Sequence, residues 1–227
     1  MRNNFKQFLY NPVCLSCGSF FQQNHLFCEV CFVEKISPRL DLKENPIEVG
    51  LTSYALFEWN PGESDLLSEF VYRMKSNRCV LAWNFYGNLA LKALDYHVDL
   101  SQIKYIIPVP GSKPTSTHAV ILAQIASEFL KKPVLNILEK VDVADGDLQQ
   151  KAKGREQRSA QKFRIREQFT ENFEFLNLRQ ASVLVVDDIA TTGSSFRQSV
   201  LALSKPASVN LLSLFYRSTK SKGILVS

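Results

Sequence analysis

Two adjacent carboxylates, Asp187 and Asp188, close the aliphatic run Val183-Leu184-Val185-Val186 and precede the small-residue loop Ala190-Thr191-Thr192-Gly193-Ser194-Ser195. The loop offers backbone N–H groups, four hydroxyls and no side chain larger than threonine. Leading into a helix, it suits a phosphate, because unpaired amides and the helix dipole both favour negative charge there. The carboxylates would repel a phosphate, but they accept hydrogen bonds and so suit a diol. A phosphate cradle beside a diol acceptor describes a site for ribose 5-phosphate. Other readings are a Walker B strand, a receiver-type acid pair and a plain turn. No G-x-x-x-x-G-K-[ST] accompanies the acids, and too little chain follows Asp188 to complete a receiver.

Cysteines make a second group. Cys14-x-x-Cys17 and Cys28-x-x-Cys31 fall within 18 residues. Doubled C-x-x-C pairs bring four thiolates around one tetrahedral ion, and zinc is the natural occupant of an all-sulfur site. A segment this short cannot build its own core, so the metal is expected to be structural, supplying folding energy. His25, between the pairs, is read as a bystander, and Cys79 as a small buried apolar residue.

The elements that must position these groups follow from periodicity. Val49 to Trp59 reads as a strand or hairpin. A helix capped by Ser64 has an apolar face of Leu67, Phe70, Val71 and Met74. A second helix covers Val80 to Tyr96, with Leu81, Phe85, Leu89 and Leu94 among its apolar positions. Tyr105–Ile107 is a buried strand, Ala119–Leu130 a helix and Val134–Leu138 a strand. The acid-pair strand and a helix from Phe196 come next, and Val209–Tyr216 is a final strand. Alternating helices and apolar strands predict an α/β fold with a mostly parallel, doubly wound sheet. In such sheets ligands bind at the carboxyl ends of the strands, where the acid pair falls. The expected organisation is a knuckle over 1–36, a linker over 37–48 and one main domain over 49–227.

The strand, acid pair and small-Thr-Gly loop resemble the phosphoribosyl pyrophosphate (PRPP) motif of type I phosphoribosyltransferases. By that resemblance Asp187 and Asp188 bind the ribose hydroxyls, and Ala190, Thr191, Thr192, Gly193 and Ser194 bind the 5-phosphate. Four cysteines ahead of such a motif are the layout of the ComF family, which includes the ComFC-like competence proteins. Arg73-Met74-Lys75, Pro108-Val109-Pro110 and the series Gln150, Arg158, Gln161 are similar to further family features. The resemblance implies a type I phosphoribosyltransferase sheet with a small N-terminal zinc knuckle, PRPP binding with Mg2+, and a part in natural transformation.

The chain departs from the family after Pro108. The expected arginine-rich loop is replaced by Gly111-Ser112-Lys113-Pro114-Thr115-Ser116-Thr117-His118. Val109, Pro110, Gly111 and Lys113 are the candidates to face pyrophosphate, with Lys113 as a lone point charge. His118 is read as a helix-capping or solvent residue. Thr191 stands where enzymes acting on 6-oxopurines carry an aspartate, which argues against hypoxanthine or guanine as substrate.

Between Lys151 and Arg166 there are seven basic residues, among them Lys151, Lys153, Arg155 and Arg158, against one acid, Glu156. The segment reads three ways: a hood over a departing pyrophosphate, a grip on a nucleic-acid backbone, or a solvated helix face. Two functions follow. One is a module of the DNA-uptake machinery that keeps a PRPP site and engages single-stranded DNA or protein partners. The other is a phosphoribosyltransferase of nucleotide salvage with an unnamed acceptor. A length of 227 residues, 45% hydrophobic content and a net charge of +5 fit a globular chain with one sizeable core. No span-length apolar run or secretory leader is visible, so the expected compartment is the cytoplasm, where thiols stay reduced.

Overall fold

Val183, Leu184, Val185 and Val186 are all fully buried, and this follows from their place in the middle of a parallel sheet. The computed structural model describes residues 13–20, 25–60, 66–76, 79–111, 116–141, 163–169, 177–204 and 206–217. Five strands form the main sheet: β1 (Lys43–Glu48), β2 (Leu51–Trp59), β3 (Ile103–Pro108), β6 (Ser182–Ala190) and β7 (Ser208–Arg217). Their spatial order is β1-β2-β7-β6-β3. All neighbours pair in parallel except β1, which pairs antiparallel with β2. A separate antiparallel pair joins β4 (Leu138–Lys140) to β5 (Phe163–Ile165).

Alternate residues of β6 enter two different cores. Leu184 and Val186 join Leu212 and Leu214 of β7 on one face. Val183 and Val185 join Leu211 on the other. On the first face the helices α1 (Leu66–Met74), α2 (Val80–Asp95) and α3 (His118–Leu130) contribute to the core. On the second are Phe196 of α4 (Ser194–Ala202), Leu138 of β4 and Leu178. The chain is therefore an α/β fold with a mostly parallel sheet covered on both faces. This is why the strand reads as a continuous aliphatic run rather than an alternation. Each of its four side chains contributes about 1.5–3 kcal/mol relative to exposure.

Several expected elements appear as read. The predicted face of α1, Leu67, Phe70, Val71 and Met74, is the buried one. Of the apolar positions named in α2, Leu94 is buried and Phe85 and Leu89 pack partly buried against the core, but Leu81 faces outward. Trp83, Tyr86, Ala90, Leu91 and Leu94 are buried, whereas Leu81 is 44% exposed. Asn84, Asn88, Lys92 and Asp95 line one side of that helix, and the apolar arc opposite is wider than the surface the core covers, so periodicity marks the outward side but not which apolar residues are buried. The strand expected over 134–138 is reduced to a bridge between Val134 and Ile106, with β4 beginning at Leu138.

Residues 37–48, expected as a linker, hold a 3-10 turn at Ser37–Arg39 and the strand β1. This strand has no buried residue and carries Pro46, which fits an edge strand held by backbone pairing; no hydrophobic pattern announces it. The cysteine segment is continuous with the main core. Leu26, Phe27, Cys31 and Ile36 belong to the same buried cluster as Phe70 and Tyr86, and the Tyr86 hydroxyl donates to the His25 carbonyl at 2.9 Å. Among the described residues no helix is long and apolar enough to cross a membrane.

Candidate functional site

β3 and β6 part company at the acid pair. Their ladder ends at Pro108 opposite Val186, and the Val109 amide donates to the Val186 carbonyl at 2.9 Å. β6 runs on to Ala190 against β7 alone. From Asp187 onward, one edge of the strand is therefore no longer paired with β3, at the carboxyl end of a parallel sheet where ligand crevices form. Val109 holds the start of that edge through Val186, and Pro110 and Gly111 follow it in the chain. A side chain at Gly111 would come within 2.6 Å of Ser116 Cβ, so these two residues lie close together.

After Ala190 the chain turns through Gly193 (φ 71°) into α4, whose first turn has no side-chain cap. Thr191 and Thr192 are exposed, whereas Gly193 is buried. Ile47 of β1 occupies the space a Cβ at position 193 would need, 2.6 Å from its ideal place. Arg197, one turn into α4, fixes β1 over this loop. Its Nε lies 2.7 Å from Glu48 Oε2, and its Nη2 donates to the Ile47 carbonyl at 3.3 Å.

Each carboxylate of the pair takes a backbone donor. Asp187 Oδ1 accepts from the Asp188 amide at 2.8 Å, and Asp188 Oδ1 accepts from the Ile189 amide at 3.0 Å. Burial, and after it the neighbouring Asp188 charge, push the Asp187 carboxyl well above the usual carboxylate range. Asp187 as a whole residue is half-buried. Lys140, at the end of β4, is lowered by its own burial, against the attraction of Asp187.

Asp188 Oδ2 faces two cation-forming groups that the sequence did not bring together. Lys75 Nζ, just past the end of α1, lies at 3.4 Å. His118 Nδ1, on the first residue of α3, lies at 3.6 Å. His118 was expected as a cap or solvent residue, and the structure corrects this. Its side chain is only 12% exposed, and its Nε2 bonds the Lys75 carbonyl at 2.8 Å. It does cap a helix end, but that of α1 rather than its own. The ring also stacks on Trp83 of α2 at 5.8 Å. No spacing rule could find this contact between residues 43 apart in sequence.

The four cysteine sulfurs of Cys14, Cys17, Cys28 and Cys31 lie within 4.8 Å of one another. Burial raises the Cys14 thiol, but hydrogen bonds from the backbone of Cys28, Cys17 and Ser16 outweigh it and bring it down to about 7. That favours the thiolate a metal takes. Four convergent sulfurs are a donor set suited to one tetrahedral zinc ion. His25 is outside the group; its ring is buried among Phe27, Phe32 and Phe85. Cys79 is 3% exposed, as expected of a core thiol. A groove of about 350 Å³ runs along Leu81, Asn84, Phe85, Asn88, Leu89 and Lys92. It contains none of the acid-pair, loop or cysteine residues, so it is not the site described here. Lys113 and the basic residues Lys151, Lys153, Arg155 and Arg158 lie outside the described residues.

No family model matches the chain, and no curated protein is significantly similar to it. Solved structures are similar. One is adenine phosphoribosyltransferase from Saccharomyces cerevisiae in complex with adenine and an imino-altritol bisphosphate. It is 16% identical, with a TM-score of 0.36, covering 82% of this chain and 89% of that one. Another adenine phosphoribosyltransferase is 18% identical, also at 0.36, covering 80% and 87%.

Proposed function

We propose that the chain binds PRPP, as its magnesium complex, at the rim where β6 outruns β3. The observation that carries this reading is the arrangement of Asp187 and Asp188 at the end of β6, followed at once by the Gly193 turn and the open first turn of α4. Asp187 and Asp188 would accept hydrogen bonds from the ribose hydroxyls. The amides of Ala190, Thr191, Thr192, Gly193 and Ser194 would hold the 5-phosphate, helped by the helix dipole. Val109, Pro110 and Gly111, following β3 in the chain, would face the diphosphate, with Lys113 as a further charge. Magnesium accompanying PRPP would supply positive charge that offsets the charge on the diphosphate leaving group.

The four-cysteine group, in this reading, holds a structural zinc that fixes the N-terminal segment to α2. Together with the sequence resemblance, this supports a cytoplasmic ComF-like protein acting in natural transformation. Its partners would be single-stranded DNA and proteins of the DNA-uptake machinery, with Lys151, Lys153, Arg155 and Arg158 as the backbone contacts. The alternative is an active phosphoribosyltransferase with an unidentified acceptor base.

Calorimetric titration with Mg–PRPP tests the site. Wild type should bind and gain thermal stability, and the double variant D187N/D188N should fold but lose both effects. Equal binding by wild type and the double variant removes the proposal. Pyrophosphate release with a panel of bases separates the two functions. Release with one base favours the enzyme. No release, together with salt-dependent single-stranded DNA binding, favours the uptake role.

A further inference from the structure

We propose that His118 is a specificity-determining residue of the acid-pair site, reading one sugar hydroxyl together with Asp188 and Lys75. The inference rests on the sugar-phosphate reading and adds to it a residue outside the acid pair and its loop. Asp188 has one oxygen already satisfied by the Ile189 amide at 3.0 Å, so Oδ2 is the one turned to a ligand. Lys75 Nζ at 3.4 Å and His118 Nδ1 at 3.6 Å both stand beyond ordinary hydrogen-bond length from it. These are ion-pair distances, so the three polar groups converge on one point, where a ligand oxygen placed beside them is within reach of each.

The tautomer of His118 follows from its anchor. A carbonyl can only accept, so the bond to the Lys75 carbonyl at 2.8 Å places a proton on Nε2 and turns Nδ1 toward Asp188. The ring cannot easily swing away. It stacks nearly parallel on Trp83, at 13°, and the Trp83 indole N–H is itself held by the Met74 carbonyl at 2.8 Å. These two side chains satisfy successive carbonyls at the end of α1, where no intrahelical partner exists. The same two bonds fix the backbone that carries Lys75.

A hydroxyl donates one hydrogen bond and accepts up to two. Asp188 Oδ2 accepts the hydroxyl proton, Lys75 Nζ donates to one lone pair of its oxygen, and His118 Nδ1, as the N–H of the ring ion-paired with Asp188, donates to the other. The other charged groups near this point are Asp187 on β6 and Lys140 on β4. A sugar with the hydroxyl replaced by hydrogen would lose all three contacts and leave the groups with only their ion pairs to one another.

The experiment compares ribose 5-phosphate, 2-deoxyribose 5-phosphate, 3-deoxyribose 5-phosphate and inorganic phosphate, by calorimetry on the full chain. Wild type should prefer ribose 5-phosphate to both deoxy sugars. H118F keeps a ring on Trp83 but loses both nitrogens. It should lose about tenfold of the preference over one deoxy sugar, the equivalent of one charged hydrogen bond, while its phosphate affinity stays unchanged. H118N, which does not depend on the stacked ring, should lose the same preference if H118F melts early. Equal loss of affinity for all four probes, or an unchanged preference in a folded variant, overturns the inference. If wild type binds no sugar phosphate while remaining folded, the sugar-phosphate reading itself has failed, and the inference falls with it.

Discussion

Ile47 occupies the space into which a side chain at position 193 would have to grow. One residue lies on the edge strand β1 and the other at the turn before α4, so the edge strand and the candidate phosphate loop are shaped against each other. Gly193 is needed twice over, for its left-handed φ of 71° and for the closeness of Ile47.

G193A should therefore destabilise the protein by about 2–4 kcal/mol, combining left-handed strain with overpacking. Urea unfolding measures this. I47A added to G193A should recover the overpacking part and leave the backbone strain. Full recovery would mean that φ is not limiting, and no recovery would mean that the contact with Ile47 is not.

The end of α1 gives a second prediction. Trp83 donates to the Met74 carbonyl at 2.8 Å from a buried position. W83F keeps most of the stacking on His118 but leaves that carbonyl unpaired, at a cost of about 1–3 kcal/mol. Because Lys75 is the next residue, affinity for ribose 5-phosphate should fall as well. A loss of stability with unchanged sugar affinity would separate the helix end from the site.

Asp187 makes stability depend on pH in a defined direction. Its carboxyl is raised in the folded state, chiefly by burial, so the folded chain holds this proton more tightly than the unfolded one. Stability should fall as pH rises from the unfolded carboxylate value, near 4, through the higher folded value. D187N removes the titration. It should be more stable than wild type at neutral pH and nearly equal to it at pH 4. Parallel curves for the two proteins from pH 4 to 8 would contradict the assignment.

Metal analysis of purified protein should give one zinc per chain. Chelation, or C28S, should lower the melting temperature by about 5–15 °C, since the metal supplies folding energy to its segment. The effect should spread beyond the knuckle, because Leu26, Phe27 and Ile36 lie in the core shared with α1 and α2. A metal-free protein melting at the same temperature would rule out the structural role.

What the sequence determined by itself is local. An aliphatic run ending in Asp187-Asp188, with small residues and Gly193 after it, specifies a buried strand, a tight turn and a helix start within about a dozen residues. The four cysteines are likewise legible, because their spacing alone permits convergence. Tertiary structure decided the rest. Lys75 and His118 reach Asp188 from two helices, through contacts that carry no periodic signature. In α2 the line Asn84, Asn88, Lys92 and Asp95 marks the outward side, but the apolar arc opposite is wide, and the elements packed on it choose which of its residues are buried. β1 was invisible because Ile47 is its one apolar packing residue, too little for a period-two pattern to announce the strand. Short-range chemistry is encoded by spacing along the chain, whereas the partners that tune it are chosen by packing between segments far apart.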